Sequence, residues 1–389
     1  MRPVVIAPDK FKGSLTASQA AQAMARGVER AVPGAAIVQI PMADGGEGTV
    51  DALVAATYGS DRTKRVKGPL GEEVEARYGL LGDGLTAVIE MAEASGLKHV
   101  LPGHLDPLIA TTRGTGELLL AAIEAGVGRV ILGIGGSATN DGGAGLGQAL
   151  GFRLLDSDGR ELEPGGGSLG RLARIDPSGR HADLDKIKLT VACDVTNPLC
   201  GENGASKVYG KQKGVKTAAM AEMLDANLAH FAAIVERDLG VSIADIPGSG
   251  AAGGLGGGLL AFVGDRLEGG RFENGLDLVS REVGLASYLA GASLCLTGEG
   301  SLDVQSLSGK TPVGVARLAR SFRCRTLAFA GIIGPGVEEV LREEGINACF
   351  SICPASMDQK ESMDRASELL EEAVAKYVLE FLSGSCPPP

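Results

Sequence analysis

The sequence has few aromatic residues and no concentrated positive charge, and these absences limit its partners. Aromatic residues make up 4% of the 389 residues, and tryptophan is absent. The net charge of −11 comes from mixed charges spread along the chain, without a cluster of lysines and arginines. Proteins that bind nucleic acid use aromatic stacking and basic patches. We therefore expect no nucleic-acid partner.

The sequence lacks the usual signals of metal binding and thiol chemistry. The four histidines are scattered, and the seven cysteines show no C-x-x-C spacing. A zinc site or a disulfide framework needs paired ligands at short, regular spacing. We therefore expect reduced thiols that pack as small apolar side chains.

Long hydrophobic runs are also missing. The amino-terminal apolar run is interrupted by Pro8 and Asp9, far too early for a signal peptide. No later run approaches the roughly 20 apolar residues of a membrane span. The prediction is a cytoplasmic protein without a membrane partner, and the sequence is compatible with a homo-oligomer.

What is present is an alternation of apolar runs and helical patterns at both ends of the chain. Such alternation is typical of α/β architecture with parallel strands. In the middle, residues 62–66, 74–81 and 86–90 are strand-like runs joined by glycine-rich turns without helices between them. We predict an α/β protein of two domains: a discontinuous domain of residues 1–66 and 285–389, and an inserted mixed α/β domain of residues 67–284.

The most informative segment is RVILGIGGSATNDGGAGLG at residues 129–147. An apolar run ends in glycines and is followed by Ser137, Thr139, Asn140 and Asp141. Glycine leaves backbone N–H groups uncovered, and a helix that begins beyond them adds a positive dipole, so the segment predicts a phosphate pocket. An ordinary strand-to-helix turn needs one or two glycines but not these polar side chains.

The same loop has an alternative interpretation. Gly133, Gly135 and Ala138 fit G-x-G-x-x-A after a strand, and Asp156 follows the next apolar run, as in a dinucleotide fingerprint. A nicotinamide-dependent oxidoreductase is therefore one alternative. The pattern is weak because glycines 248, 250 and 253 also match it where no strand is apparent, in a chain with 59 glycines.

Five polar clusters follow apolar runs, which is where open α/β sheets bind ligands. Phosphoryl transfer suits their composition: lysines neutralise oxygens, glycine amides bind phosphates, and carboxylates hold Mg²⁺ or accept a proton. The Walker and protein-kinase signatures are absent, so a kinase would belong to another family. A non-catalytic sensor of a small acid, the second alternative, would need fewer acids and lysines. The clusters lie at residues 9–14, 44–49, 135–141, 194–198 and 297–303, with Lys310 beyond the last.

Seven blocks of sequence resemble the bacterial glycerate kinase family, type 1. The resemblance implies ATP-dependent phosphorylation of D-glycerate, with 2-phosphoglycerate the favoured product. It also implies two domains, one flavodoxin-like with a mainly parallel sheet and one of more unusual α/β fold. Lys211 departs from the pattern, which has proline there, and either lies near a phosphate or faces water. The blocks are DKFKGSLTA at Asp9, PMADGGEGT at Pro41, TRGTGELL at Thr112, GIGGSATNDGGAG at Gly133, ACDVTNPL at Ala192, GAAGGLG at Gly250 and TGEGSLDVQSLSGKTPVGVA at Thr297.

The clusters suggest individual roles. We predict that Asp194 is the base that takes the proton from the glycerate hydroxyl. Lys10 and Lys12 would neutralise transferred or substrate oxygens, and Arg113 would pair with the glycerate carboxylate. For each acid, a helix cap or an orienting contact is the alternative. The remaining predicted residues are Asp44, Glu47 and Asp303 for Mg²⁺, and Gly135, Gly136, Ser137, Asn140 and Lys310 for phosphate or substrate.

Overall fold

The chain divides into two compact units, each built on its own sheet. The computed structural model describes residues 2–303, 310–354 and 356–383. Residues 304–309 of the last sequence block and Cys386 therefore lie outside the described part. The first unit contains Met1–Asp44, Asp51–Ala56 and Leu276–Pro389, and the second contains Gly45–Val50 and Thr57–Gly275. The domain ranges expected from the sequence stay a prediction.

The first unit has a five-stranded parallel sheet with the order β2-β1-β10-β11-β12. Counted along this unit, the order is 2-1-3-4-5, which is the flavodoxin-like arrangement. The sheet is therefore mainly parallel, as predicted. Numbered along the whole chain, its strands are β1 (Val4–Ile6), β2 (Ile37–Gln39), β10 (Leu294–Leu302), β11 (Thr326–Ile333) and β12 (Ile346–Ser351).

Helices cover this sheet because β1 is apolar and buried along its whole length. The first helix begins at a capping box in which Thr16 and Gln19 satisfy each other's backbone N–H groups. It packs closely on the last helix, since a Cβ at Gly27 would lie 2.7 Å from the Cβ of Val374. The helices are α1 (Ala17–Ala31), α10 (Leu285–Leu289), α11 (Thr311–Ser321), α12 (Glu338–Glu343), α13 (Gln359–Asp364) and α14 (Ala366–Leu382), with α2 (Thr49–Thr57) and α9 (Gly275–Glu282) at the unit boundaries.

Strand β10 is longer than the sequence pattern predicted. The polar cluster at residues 297–303 was expected to follow the strand, but its residues Gly298 and Glu299 pair with Phe329 and Ala330 of β11. A Cβ at position 298 would lie 2.2 Å from the carbonyl oxygen of Phe329. Glycine here permits a close backbone approach inside the strand rather than a turn.

The second unit has a mixed sheet with the order β3-β4-β5-β6-β9. The first three strands are antiparallel neighbours, and β5, β6 and β9 are parallel. The predicted mixed α/β character is confirmed. Its elements are β3 (Ser60–Lys67), β4 (Glu73–Leu80), β5 (Thr86–Glu90), β6 (Arg129–Gly133), β7 (Arg153–Leu155), β8 (Arg174–Asp176), β9 (Lys188–Ala192), α3 (Ala92–Ser95), α4 (Arg113–Glu124), α5 (Ala144–Ala149), α6 (Ala205–Tyr209), α7 (Ala218–Leu239) and α8 (Ala251–Val263).

The second glycine match, at residues 248–253, leads into α8 rather than out of a strand. A Cβ at Gly253 would lie 2.0 Å from the carbonyl oxygen of Thr139, and one at Gly258 would lie 2.5 Å from that of Gly142. These glycines therefore let α8 pack directly on the backbone that follows β6.

Helix α7 is the one helix in the described ranges that is long and apolar enough to cross a membrane by length and composition. No such segment was expected from the sequence. Leu228, Phe231 and Val235 of this helix are fully buried in the core of the second unit. Of its most apolar stretch of 18 residues, 33% is buried inside the protein.

Candidate active site

In the first unit, two of the polar clusters meet at the carboxyl ends of β1 and β10. These neighbouring strands form the point where the strand order reverses, which is the usual ligand-binding position in an open α/β sheet. The amide of Asp9 donates to the carbonyl oxygen of Gly298 at 2.9 Å. A Cβ at Gly300 would lie 3.2 Å from the backbone nitrogen of Lys12. The fold thus brings residues 9–14 and 297–303 together.

Asp9 is the buried acid of this cluster. Its carboxylate accepts a hydrogen bond from Thr311 Oγ1 at 2.5 Å and another from the amide of Lys10 at 2.6 Å. Burial, followed by the negative charge of Asp44, raises the pKa of Asp9 to about 6. Sequence reasoning placed Asp9 in a cluster but gave it no role. The signal was its position directly after the first strand.

The other predicted residues of the first unit differ in exposure. Lys10 is half-buried and its charge acts on Asp9, whereas Lys12 is exposed. Lys310 precedes α11, and its Nζ lies 3.9 Å from Asp303 Oδ1. Asp44 is half-buried. The cluster therefore contains positive and negative groups within the same unit.

No group of three or more acidic, histidine or cysteine side chains in residues 2–303, 310–354 and 356–383 forms a complete metal site. The assignment of Asp44, Glu47 and Asp303 to Mg²⁺ therefore stays a prediction. Magnesium usually keeps several waters and binds through one or two carboxylates and the phosphates of a substrate. Asp9 fits this smaller requirement because the nearby negative charge of Asp44 raises the cost of its own negative charge.

In the second unit, residues 45–50 cross the carboxyl ends of the parallel strands. Glu90, which ends β5, accepts hydrogen bonds from the amides of Gly48 at 3.0 Å and Val50 at 2.8 Å. A Cβ at Gly133 would lie 2.3 Å from the carbonyl oxygen of Gly45. Gly133 therefore makes room for this segment, and Glu47 is exposed within it.

Asp194 is exposed beyond the end of β9 and is oriented by two donors. Its Oδ1 accepts hydrogen bonds from Asn274 Nδ2 at 2.7 Å and from the amide of Gly275 at 2.8 Å. A Cβ at Gly45 would lie 3.0 Å from the Cα of Gly275. Asp194 thus lies beside the segment 45–50, with the accessibility that a general base needs.

The glycine loop after β6 has an exposed first half and a buried second half. Gly135 and Gly136 are exposed, and Gly136 has a φ of +74°, which favours glycine. Ser137 and Asn140 are buried, and Asn140 Nδ2 donates to Ser206 Oγ at 2.9 Å. Only the glycines present their backbone to solvent in this conformation.

Arg113 begins helix α4 and pairs with an acid of the same helix. Its Nε is 3.1 Å from Glu117 Oε1, one turn along α4. It lines a cavity of about 430 Å³ together with Gln148, Arg153 and Glu161, and none of the other predicted site residues lines that cavity. The role of Arg113 in the site stays a prediction.

The geometry does not support the dinucleotide fingerprint. Strand β7 pairs with β8 in a separate two-stranded sheet instead of extending the parallel strands. Asp156 accepts hydrogen bonds from the amides of Asp158 and Arg160, both at 2.9 Å. The acid that a ribose would require is thus held in its own turn.

The segment 210–214 also differs from expectation. Lys211 is exposed, so of the two alternatives given for it the structure favours a side chain that faces water. Lys213, two residues later, is fully buried. Sequence reasoning overlooked Lys213 because a lysine between glycines usually lies in solvent.

Comparison with known proteins adds to this geometry. A family model described as the glycerate kinase family matches residues 4–382. A glycerate kinase of Halalkalibacterium halodurans is 50% identical over 96% of this chain and 96% of its own length. A glycerate 2-kinase of Escherichia coli is 49% identical over 90% of both chains. A crystal structure assigned to glycerate kinase 2 of Salmonella typhimurium is 44% identical, with a TM-score of 0.87 over 98% of this chain and 99% of that one. The chain belongs to the glycerate kinase family.

Proposed function

We propose that the protein transfers the γ-phosphoryl group of ATP to a hydroxyl of D-glycerate, which yields a phosphoglycerate and ADP. The observation that carries this proposal is the similarity to glycerate kinases at 49–50% identity over 90–96% of the chain, a length that includes both units. Because the relative from Escherichia coli is a glycerate 2-kinase, 2-phosphoglycerate is the favoured product.

Asp194 acts as the general base in this reaction. The glycerate hydroxyl oxygen forms a bond to the γ-phosphorus, and the bond from that phosphorus to the bridging oxygen of ADP breaks. The hydroxyl proton passes to Asp194. The two hydrogen bonds to Oδ1, from Asn274 and Gly275, support this role because they fix the direction of the carboxylate.

Positive charge and backbone amides stabilise the transferred group. Lys10, Lys12 and Lys310 neutralise phosphate oxygens, and the amides of the exposed glycines at 135 and 136 bind them. Bound Mg²⁺ would supply further neutralisation, held by Asp44 with Asp9 and, through water, by Glu47 and Asp303. Ser137 and Asn140 contribute through the shape of the loop. Arg113 binds the glycerate carboxylate after release from Glu117.

The direct test is to incubate the purified protein with ATP, MgCl₂ and D-glycerate. ADP should form only when glycerate is present, and phosphorus NMR should show 2-phosphoglycerate. Chelation of the metal with EDTA should stop the reaction. Absence of glycerate-dependent ADP would refute the proposed function, whereas formation of 3-phosphoglycerate would correct the product alone.

The same preparation separates the alternatives. A nicotinamide oxidoreductase would bind NADH with micromolar affinity, about −8 kcal/mol, and a sensor would bind glycerate without consuming ATP. Calorimetry should instead detect binding of ATP·Mg and no binding of NADH. A cytoplasmic location and a homo-oligomer stay predictions, to be examined by fractionation and light scattering.

A further inference from the structure

A lysine with no part in the proposed chemistry is buried beneath the glycine loop. Lys213 is only 1% exposed and is among the largest fully buried side chains of the described residues. Its Nζ donates a hydrogen bond to the carbonyl oxygen of Thr139 at 2.8 Å. An amine taken out of water costs free energy unless it is hydrogen-bonded. The loop carbonyl supplies that bond.

Lys213 lies on a short helical turn whose flanking glycines allow the lysine side chain to be buried. Gly214 has a φ of +99°, and a Cβ there would lie 2.3 Å from the carbonyl oxygen of Leu105. A Cβ at Gly210 would lie 2.2 Å from the carbonyl oxygen of Ser206. Both glycines of the G-K-Q-K-G segment are thus needed for close backbone approach. The segment is built around a buried lysine rather than left as a surface loop.

The contact of Lys213 falls at the point where the loop turns from exposed to buried. Thr139 follows the exposed glycines by three residues, and its side chain is fully buried. On its other side, Gly253 of α8 approaches the Thr139 carbonyl so closely that a Cβ would lie 2.0 Å away. The carbonyl is therefore held between a lysine and a helix, which fixes the direction of the chain on either side.

We propose that Lys213 is a positioning residue for phosphoryl transfer, which fixes the Thr139 carbonyl and thereby holds Gly135 and Gly136 in the arrangement that binds phosphate oxygens. The inference rests on the proposed function, because it assigns those amides to phosphate. It differs from a packing role because it requires the nitrogen of Lys213, not only its hydrocarbon stem.

The charge of Lys213 gives the proposal a pH signature. Burial lowers the pKa of Lys213 to about 7, while the negative charge of Asp141 opposes that shift. Asp141 is the charged group that acts on Lys213 among the described residues. A charged donor makes a stronger hydrogen bond than a neutral one. The hydrogen bond from Lys213 Nζ to the Thr139 carbonyl oxygen should therefore weaken as the pH rises through about 7.

The test compares Lys213→Met, Lys213→Gln and the exposed neighbour Lys211→Met in the full chain. The kcat and the KM for ATP and D-glycerate are measured at about pH 6 and about pH 8, on either side of the pKa of Lys213, with thermal unfolding recorded for each variant. Lys213→Met should lower kcat by about 10- to 10²-fold at the lower pH and by less at the higher pH. Lys213→Gln, whose amide can still donate, should retain more activity than the methionine variant. Lys211→Met should behave as wild type.

Several outcomes would overturn the proposal. One is a folded Lys213→Met variant with wild-type kcat at both pH values. Another is an equal loss of kcat in the methionine and glutamine variants that does not change with pH, because that result indicates packing alone. If Lys213→Met does not fold, the pH dependence of kcat in Lys213→Gln decides. A pH profile like that of the wild type refutes the role, because the glutamine amide does not titrate. A wild-type protein that forms no phosphoglycerate refutes the proposed function instead.

Discussion

The carboxylates of the two units are held in different ways. In the second unit, Glu90, Asp141 and Asp194 each accept hydrogen bonds from backbone N–H groups, which stabilise the carboxylates. In the first unit, Asp9 is buried within reach of the negative charge of Asp44. The difference separates acids that organise loops from acids that need an additional positive partner.

The contrast is sharpest between the two most buried aspartates. Asp141 is fully buried, and it accepts hydrogen bonds from the amide and Oγ1 of Thr112 and from the amides of Gly143 and Gly145. Burial raises its pKa, and these four donors oppose the rise. Asp9 has two such donors, from Lys10 and Thr311, and a carboxylate neighbour. Asp141 is thus a structural acid, whereas Asp9 has the environment of a site for a cation.

The largest expected effect concerns Asp194, which is the exposed member of the three acids described in the second unit. Asp194→Asn keeps the size of the side chain but removes the charge that accepts a proton. The kcat should fall by about 10²-fold or more, measured as glycerate-dependent ADP release, while the thermal unfolding curve stays as in wild type. Asp225→Asn is the matched control, because Asp225 also accepts a backbone amide, that of Gly201. Near-normal turnover in Asp194→Asn would show that Asp194 organises its loop like the other acids of its unit.

The next prediction concerns the stability of that unit. Asp141→Ala leaves four buried donors without their acceptor, and the free energy of unfolding should fall by at least about 3 kcal/mol. Asp156→Ala is the control, since Asp156 also accepts backbone amides but lies in a turn where water can replace it. Urea unfolding of both variants measures the difference. Equal losses would contradict the assignment of Asp141 as a buried structural acid.

The polar clusters at strand ends were predictable because the carboxyl ends of parallel strands meet at one edge of a sheet. The strand patterns also predicted the mixed sheet of the middle segment, and the family resemblance predicted the flavodoxin-like order. Such inferences depend on periodicity and on glycine, which are local features of the sequence. These inferences indicate where in the fold the functional residues lie, but they do not indicate which side chains are buried.

Burial at the site depended on contacts distant in sequence. Asn140 contacts Ser206, and Lys213 contacts Thr139, across more than 60 residues in each case. Nothing local distinguishes the buried Lys213 from the exposed Lys211. The extension of β10 was missed because glycines 298 and 300 are typical of turns, whereas pairing with β11 keeps that stretch extended. Tertiary packing decided these positions.

A smaller effect of opposite sign is expected for the buried acid of the first unit. The folded-state pKa of Asp9, about 6, lies above its ordinary value of 3.8, so its ionised form opposes folding above pH 6. Asp9→Asn should therefore raise the free energy of unfolding at pH 7 by about 2 kcal/mol, because the amide is never charged. The gain should disappear near pH 4, where the wild-type carboxyl is protonated. Urea unfolding at both pH values measures this change, and kcat should fall in the same variant. A destabilised Asp9→Asn at pH 7 would place Asp9 with the structural acids.

The smallest effect is expected for Lys12, the exposed lysine of the first unit. An exposed ammonium is screened by salt, over a Debye length of about 10 Å at 0.1 M, so it contributes less than a buried charge. Lys12→Met should raise the KM for ATP by about 3- to 10-fold at low ionic strength, equivalent to about 1 kcal/mol, and the difference should shrink as salt is added. Lys64→Met is the control, since Lys64 is an exposed strand residue whose Nζ lies 3.4 Å from Glu124. A salt-independent loss of kcat in Lys12→Met would instead assign Lys12 to the transferred phosphoryl group itself, because an enclosed charge contact is little affected by added salt.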